Sequence, residues 1–435
     1  MSLFKNWCKM HVIPRHLAAR TERALAVSRV VNIVGPRQAG KTTLVKDLIA
    51  TARYVTLDDD AMRSAFEADP FGQLELLSEQ ARKSGRPIVF DEVQRLPEIT
   101  FALKRIVDMD TRFGQFVLTG SSDIFTAGKA YDSLAGRVTT LTIRPLSASE
   151  IAGKAPCRLL DIVSQHPREC LSRLPQVVSF LRAEVIDLIV RGGFPEIRKL
   201  DTQDRIDRYL SYLDSIVERD LAPVAQVRKP DTMRRLIDQL AARTSEELSI
   251  AALCKTLAVR KETVNDYVDI LSRIGIVHRL GAWTSSTAKR EIKASKLHFL
   301  DTGLATALRA EDNESFGAGA DPVSLGHLLE SFVFIELEKS LPYLAKRWRL
   351  YHWRLDGREV DILAEGPGRI LALFEIKAAS TVGAEDFRHI DWFMSEGPGK
   401  SYKCAGFVVY LGNDLLSFGP GKIALPLSML WSFAE

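Results

Sequence analysis

The spacing of apolar positions changes along the chain, and the change divides it. Residues 14–27 begin with Pro14 and repeat apolar side chains at helical intervals, which predicts a leading helix. Val30–Val34 (VVNIV) is a short β-branched run with the apolar continuity of a strand buried on both faces. A glycine-rich turn follows, then a predicted helix from about Thr42 to Ala52 and a strand near Tyr54–Leu57. A helix through 73–83, a strand at Pro87–Phe90, a helix at 99–109 and a strand at Gln115–Leu118 complete the pattern. Strands alternating with helices imply an α/β domain with a mostly parallel sheet covered on both sides.

Beyond about residue 150 the pattern turns helical and stays so to about 275. Within it, Leu248–Leu257 and Arg260–Arg273 read as two helices around a short turn, and Ile276–Trp283 and Lys296–Leu300 read as strands. Two helices followed by a β-ribbon is the order of a winged helix. The stretch EDNESFGAGADP at 311–322 predicts a linker. After it come a helix from about Leu325 to Ser340, strand-like runs at 347–354, 358–364, 370–376 and 404–411, and a helix at 384–395. The predicted division is 1–150 for the first domain, 151–205 for a helical lid, 206–310 for the winged helix and 320–435 for a last α/β domain.

Composition alters this picture little. With 435 residues, two to four domains are expected. The 59 basic and 55 acidic residues leave a net charge of +4, which permits a nucleic-acid partner without arguing for one. Cys8, Cys157, Cys170, Cys254 and Cys404 are odd in number and far apart, so neither a disulfide framework nor a zinc site is expected, and a reducing cytoplasm is the simplest setting. No run of about 18 apolar residues occurs, so no membrane span is expected.

The chemistry begins at Gly35-Pro36-Arg37-Gln38-Ala39-Gly40-Lys41-Thr42-Thr43, which fits GxxxxGK[ST] between a strand and a helix. The glycines let backbone N–H groups turn in around phosphates, and the helix start adds its positive dipole end. Lys41 can reach the β- and γ-phosphates of ATP, and the Thr42 hydroxyl can ligate Mg²⁺. Ile88-Val-Phe-Asp91-Glu92 is an apolar strand ending in two carboxylates. Asp91 there can hold Mg²⁺ directly or through water, and Glu92 can orient the attacking water; a solvated acidic turn is the plainer alternative. The strand ending Thr119-Gly120-Ser121-Ser122 offers Ser121 or Ser122 as a hydroxyl near the γ-phosphate, unless these are simply turn residues. In Ser133-Leu-Ala-Gly136-Arg137, Arg137 is the candidate for a cation presented to a neighbouring protomer's phosphate.

Taken together, GPRQAGKTT, FDEVQRLPE, LTGSS, SLAGR and GGFPE (192–196) resemble a large family of poorly characterised prokaryotic ATPases of the AAA+ superfamily. The resemblance spans nearly the whole chain. It implies an ATPase core with a helical lid, nucleotide bound near the lid, and ring assembly, and it implies little about substrate.

In the last domain, Asp361 sits within one strand, while Glu375 and Lys377, two apart, share a face of the next. With Glu330 on the preceding helix, this resembles the PD-(D/E)xK nuclease core. Asp361 and Glu375 would hold a metal, Lys377 would orient water, and Glu330 would support the site. An alternating hairpin with a polar outer face is the alternative. Arg260, Lys261, Thr263 and Asn265 open the second winged-helix helix and could face a major groove. Lys289, Arg290, Lys293 and Lys296 form a basic stretch suited to phosphate contact. The expected function is therefore an oligomeric Mg²⁺-dependent ATPase acting on DNA. The alternatives are a nucleotide-dependent switch that docks a protein, and an ATP-gated metal-dependent nuclease.

Overall fold

A computed structural model describes residues 12–120, 134–221, 230–286, 290, 294–317 and 322–433. The chain forms two compact units. One comprises Met10–Leu146 with Arg273–Gly275, and the other holds nearly all of the chain from Ser147 to Glu435.

The first unit is built on β1 (Val30–Val34), β2 (Arg53–Thr56), β3 (Ile88–Asp91), β4 (Phe116–Gly120) and β5 (Val138–Thr142), in the order β2-β3-β4-β1-β5. All neighbours are parallel. The two-residue period of the strands sorts their side chains onto opposite faces. Val30, Ile88, Phe90, Phe116 and Leu118 pack on one face with Leu74, Leu77, Leu103 and Ile106, which the helices Pro70–Ser84 and Ile99–Met109 supply. Val31, Ile33, Val89 and Val117 pack on the other with Leu17, Leu44 and Val45. Each such buried side chain contributes about 1.5–3 kcal/mol, so β1 and β4 are central because both of their faces are apolar. The sequence reading missed the helix Asp60–Ala68, whose Asp59 cap accepts from the Ala61 and Met62 N–H groups, and it missed the edge strand β5.

In the second unit, helices Arg182–Arg191, Thr202–Ser215, Pro230–Ala241, Ile250–Leu257 and Lys261–Arg273 precede an antiparallel ribbon of β6 (Val277–Leu280) and β7 (Lys296–Phe299). After the helices Thr302–Leu308 and Pro322–Ser340 comes a six-stranded sheet ordered β12-β13-β11-β10-β9-β8. Its strands are β8 (Arg349–Leu355), β9 (Arg358–Gly366), β10 (Ile370–Lys377), β11 (Lys403–Tyr410), β12 (Leu416–Ser417) and β13 (Lys422–Pro426). β9 pairs antiparallel with both β8 and β10; β11 follows the helix Arg388–Ser395 and lies parallel to β10. The boundaries expected at 205/206 and 310/320 do not separate compact bodies. The Trp283 and His352 N–H groups donate to the His352 and Gly281 carbonyls, at 2.7 and 3.0 Å, tying the ribbon into the six-stranded sheet.

GGFPE has a structural explanation. Gly192 adopts φ +65°, and a Cβ there would meet Asp301 Oδ1 at 2.2 Å. The buried Asp301 carboxylate accepts the Gly193 N–H (2.7 Å) and the Leu304 N–H (3.0 Å), with the Tyr209 hydroxyl also at 3.0 Å. Asp301→Ala strands the Gly193 and Leu304 N–H groups in the core, while the Tyr209 hydroxyl keeps the Arg191 carbonyl as acceptor. The substitution should cost about 3 kcal/mol, summing an N-cap and buried unsatisfied groups, read as a lowered urea midpoint at unchanged slope.

Candidate active site

The loop after β1 turns through positive φ at Gly35 (+152°), Gln38 (+59°) and Gly40 (+95°). A Cβ on Gly35 would meet the Ile143 carbonyl oxygen at 2.2 Å, so only glycine fits. Gly40 ends the turn, and the helix starts at Lys41–Thr43 and continues as a π-helical turn over Leu44–Leu48, short of the predicted Ala52. Arg15, which the sequence reading missed, braces the loop from below: its Nη1 donates to the Ala39 carbonyl (2.7 Å) and its Nη2 to the Arg144 carbonyl (2.6 Å). Lys41 is buried, with Nζ donating to the carbonyls of Gly35 (2.9 Å) and Pro36 (2.8 Å). The ammonium is thus folded onto the same loop whose amides would cradle phosphate.

Opposite it stands Asp91, at the end of β3 and 3% exposed. The Thr42 hydroxyl donates to its Oδ2 at 3.0 Å. The Tyr54 and Thr119 hydroxyls donate to the same carboxylate from β2 and β4. Burial, and then Asp91, push the Tyr54 phenol well above its usual range, so it remains a donor. A hydroxyl and a carboxylate side by side are the hard oxygen donors Mg²⁺ prefers, so Thr42 and Asp91 fit that ion. Glu92 follows immediately but in a left-handed backbone (φ +59°), and its half-buried carboxylate accepts from the Gln94 amide. Such backbone strain, of order 1–3 kcal/mol, gathers at functional positions.

Thr119 is the hydroxyl brought to this centre from β4. Ser121 and Ser122 lie outside the described residues. β4 lies between β1 and β3, which is why its tip reaches the centre. Arg137 is on the surface, with Nε and Nη2 donating to Asp108 at 2.5 and 3.0 Å.

A second polar cluster lies in the C-terminal unit. Lys296 Nζ is 2.8 Å from Glu330, 2.6 Å from Glu359 and 3.7 Å from Asp361. Lys377 donates to Glu375 Oε1 at 3.0 Å, and Asp361 Oδ2 accepts the Ile376 N–H at 2.8 Å. Burial pushes the Glu330 and Asp361 carboxyls up; burial and the Asp361 charge hold Glu375 at about 8. Burial would lower the Lys296 ammonium, but Glu330, Asp361 and Glu359 outweigh it and hold it above the usual range. Glu359, another residue the sequence reading missed, is held low by Lys296 against its own burial.

The expected nucleic-acid residues divide. Arg260 and Lys261 are exposed at the start of the helix Lys261–Arg273. Arg290 is not free for phosphate: its guanidinium donates to Glu365 (2.7 and 3.0 Å) and to the Tyr351 hydroxyl (3.0 Å). Lys296 is buried at 3% exposure and is likewise no surface contact. Lys289 and Lys293 fall outside the described residues.

Residues 27–152 match the AAA domain; 182–315 and 325–430 match two domains of unknown function, DUF8612 and DUF4143. An uncharacterized protein of Mycobacterium tuberculosis is 31% identical over 370 residues, covering 84% of this chain and 74% of its own. One from Haemophilus influenzae is 24% identical, covering 78% of this chain and 80% of its own. Among solved structures, a Walker-type ATPase of Pyrococcus abyssi overlays with a TM-score of 0.42 at 14% identity, covering 71% of this chain and all of that one (100%). Aeropyrum pernix Orc1 in complex with DNA overlays at 0.24 and 14% identity, covering 71% and 95%. Among the described residues, no helix is long and apolar enough to cross a membrane.

Proposed function

The chain belongs to the family that includes the uncharacterized protein of Mycobacterium tuberculosis, and with its own residues 27–152 matching the AAA domain we propose that it is an Mg²⁺-dependent, oligomeric ATPase that couples hydrolysis to the binding or remodelling of DNA. One observation carries the hydrolytic half. Thr42, Tyr54 and Thr119, from three separate elements, converge on the Asp91 carboxylate beside the loop that holds Lys41.

Lys41 exchanges the Gly35 and Pro36 carbonyls for phosphate oxygens, a trade of neutral acceptors for charged ones that favours binding. Thr42 and Asp91 would hold Mg²⁺, which, when bound, neutralises charge on the phosphates. Thr119 and Tyr54 fix the Asp91 rotamer. Glu92 orients and polarises the attacking water, and Gln94 holds its carboxylate until then. Arg137 serves in trans by exchanging Asp108 for a neighbouring protomer's phosphate. The DNA half is supported by Arg260 and Lys261, exposed where the helix Lys261–Arg273 begins.

Measuring hydrolysis with and without duplex, single-stranded and branched DNA tests the coupling. Stimulation by one of these, reduced in Arg260→Ala/Lys261→Ala together with the slope of binding against salt, is the expected outcome. Absence of DNA binding at low salt, with hydrolysis indifferent to all three, overturns it. A protein partner whose affinity follows the bound nucleotide would then favour the switch reading.

A further inference from the structure

The carboxylates Glu330, Asp361 and Glu375 sit on the helix Pro322–Ser340 and on β9 and β10, and the resemblance to the nuclease core assigns them to a divalent metal. A fourth, Glu359, adds to the same negative pocket. Something already neutralises it. β7 turns alternate residues toward the helix Pro322–Ser340, so Lys296 meets Glu330 while His298 Nδ1 lies 3.1 Å from the Ser331 hydroxyl. We propose that Lys296 is a resident cation, its ammonium standing where Glu330 and Asp361 would otherwise share a divalent metal, and that it closes this centre to metal.

Three observations bear on this. The ammonium makes contacts of 2.6 and 2.8 Å with two carboxylates and lies 3.7 Å from a third, which places one positive charge at their common focus. The remaining candidate ligands are engaged elsewhere: Asp361 Oδ2 by the Ile376 N–H, and Glu375 Oε1 by Lys377. Glu375 Oε2, by contrast, is buried without a hydrogen-bond partner. Among the described residues, no three His, Cys, Asp or Glu side chains converge closely enough to share a metal ion.

Lys296 is also held rigidly. Its strand pairs with β6 on one side, and on the other the Leu248 N–H donates to Ser295 (2.8 Å) and the Ser245 N–H to Leu297 (2.7 Å). The ammonium therefore does not swing clear as a surface lysine would. Mg²⁺ usually retains several waters, and a pocket in which Lys296 is 3% exposed and Glu330 and Glu375 are each 9% exposed has little room for them. The C-terminal sheet then serves as a platform that does not cut.

The test is Mn²⁺ titration of the full chain without nucleotide, following free Mn²⁺ by electron paramagnetic resonance. The P-loop gives every variant the same background. Lys296→Met should take up about one further equivalent of Mn²⁺, and the ion should raise its Tm, because a ligand that binds only the folded state stabilises it. Lys296→Met/Asp361→Asn should lose both gains. A folded Lys296→Met that takes up no more Mn²⁺ than the unaltered chain overturns the proposal. Should Lys296→Met not fold, the unaltered chain is compared with Glu375→Gln: equal uptake supports closure, and an equivalent lost in Glu375→Gln overturns it.

Discussion

Replacing Lys41 by alanine should abolish hydrolysis and reduce nucleotide affinity by about ten- to a hundredfold, the effect of losing one hydrogen bond to a charged group. Two effects add. The γ-phosphate loses the one buried ammonium at the loop, and the Gly35 and Pro36 carbonyls lose the donor they share. Because the helix start and the loop glycines remain, some affinity for the diphosphate portion should survive. Binding of a fluorescent ATP analogue, paired with phosphate release, reads both quantities, and an unchanged Tm shows that the loss is local. Affinity equal to that of the unaltered chain would mean that the loop does not hold the triphosphate.

Glu92→Gln should separate binding from chemistry. The two side chains are nearly the same size, and glutamine can still accept from Gln94, so nucleotide affinity should hold. The amide cannot polarise water, so hydrolysis should fall by about 10²–10⁴, the range that general base groups contribute. ATP should therefore remain bound and intact after separation from free nucleotide. Hydrolysis at the ordinary rate would assign the water to another group, and Asp91 would be the first to examine.

These two residues were legible in the sequence for a local reason: a glycine turn between a strand and a helix, and a carboxylate pair after an apolar run, carry their chemistry within a few consecutive positions. The parallel sheet was legible too, from the continuity of its buried strands, though β5, with three threonines in five residues, escaped notice. What escaped at the site comes from distant parts of the chain. Thr119 read as part of a strand, Tyr54 as the start of another, and Arg15 as part of the leading helix; only the fold brings the first two to Asp91 and the third to the Ala39 carbonyl. Lys296 misled most. Beside Lys289, Arg290 and Lys293 it read as one more surface cation, yet the alternation of β7 turns it inward. Charge runs carry no information about which member a strand will bury.

The left-handed turn at Glu92 has an evolutionary corollary. Neighbouring carboxylates on one extended strand would point to opposite faces; the left-handed turn at Glu92 breaks that alternation directly after Asp91. Glycine would sit at that position more comfortably than glutamate. A screen that rewards heat resistance alone should therefore drift toward variants that fold better and turn over nothing, and only selection for turnover keeps glutamate there.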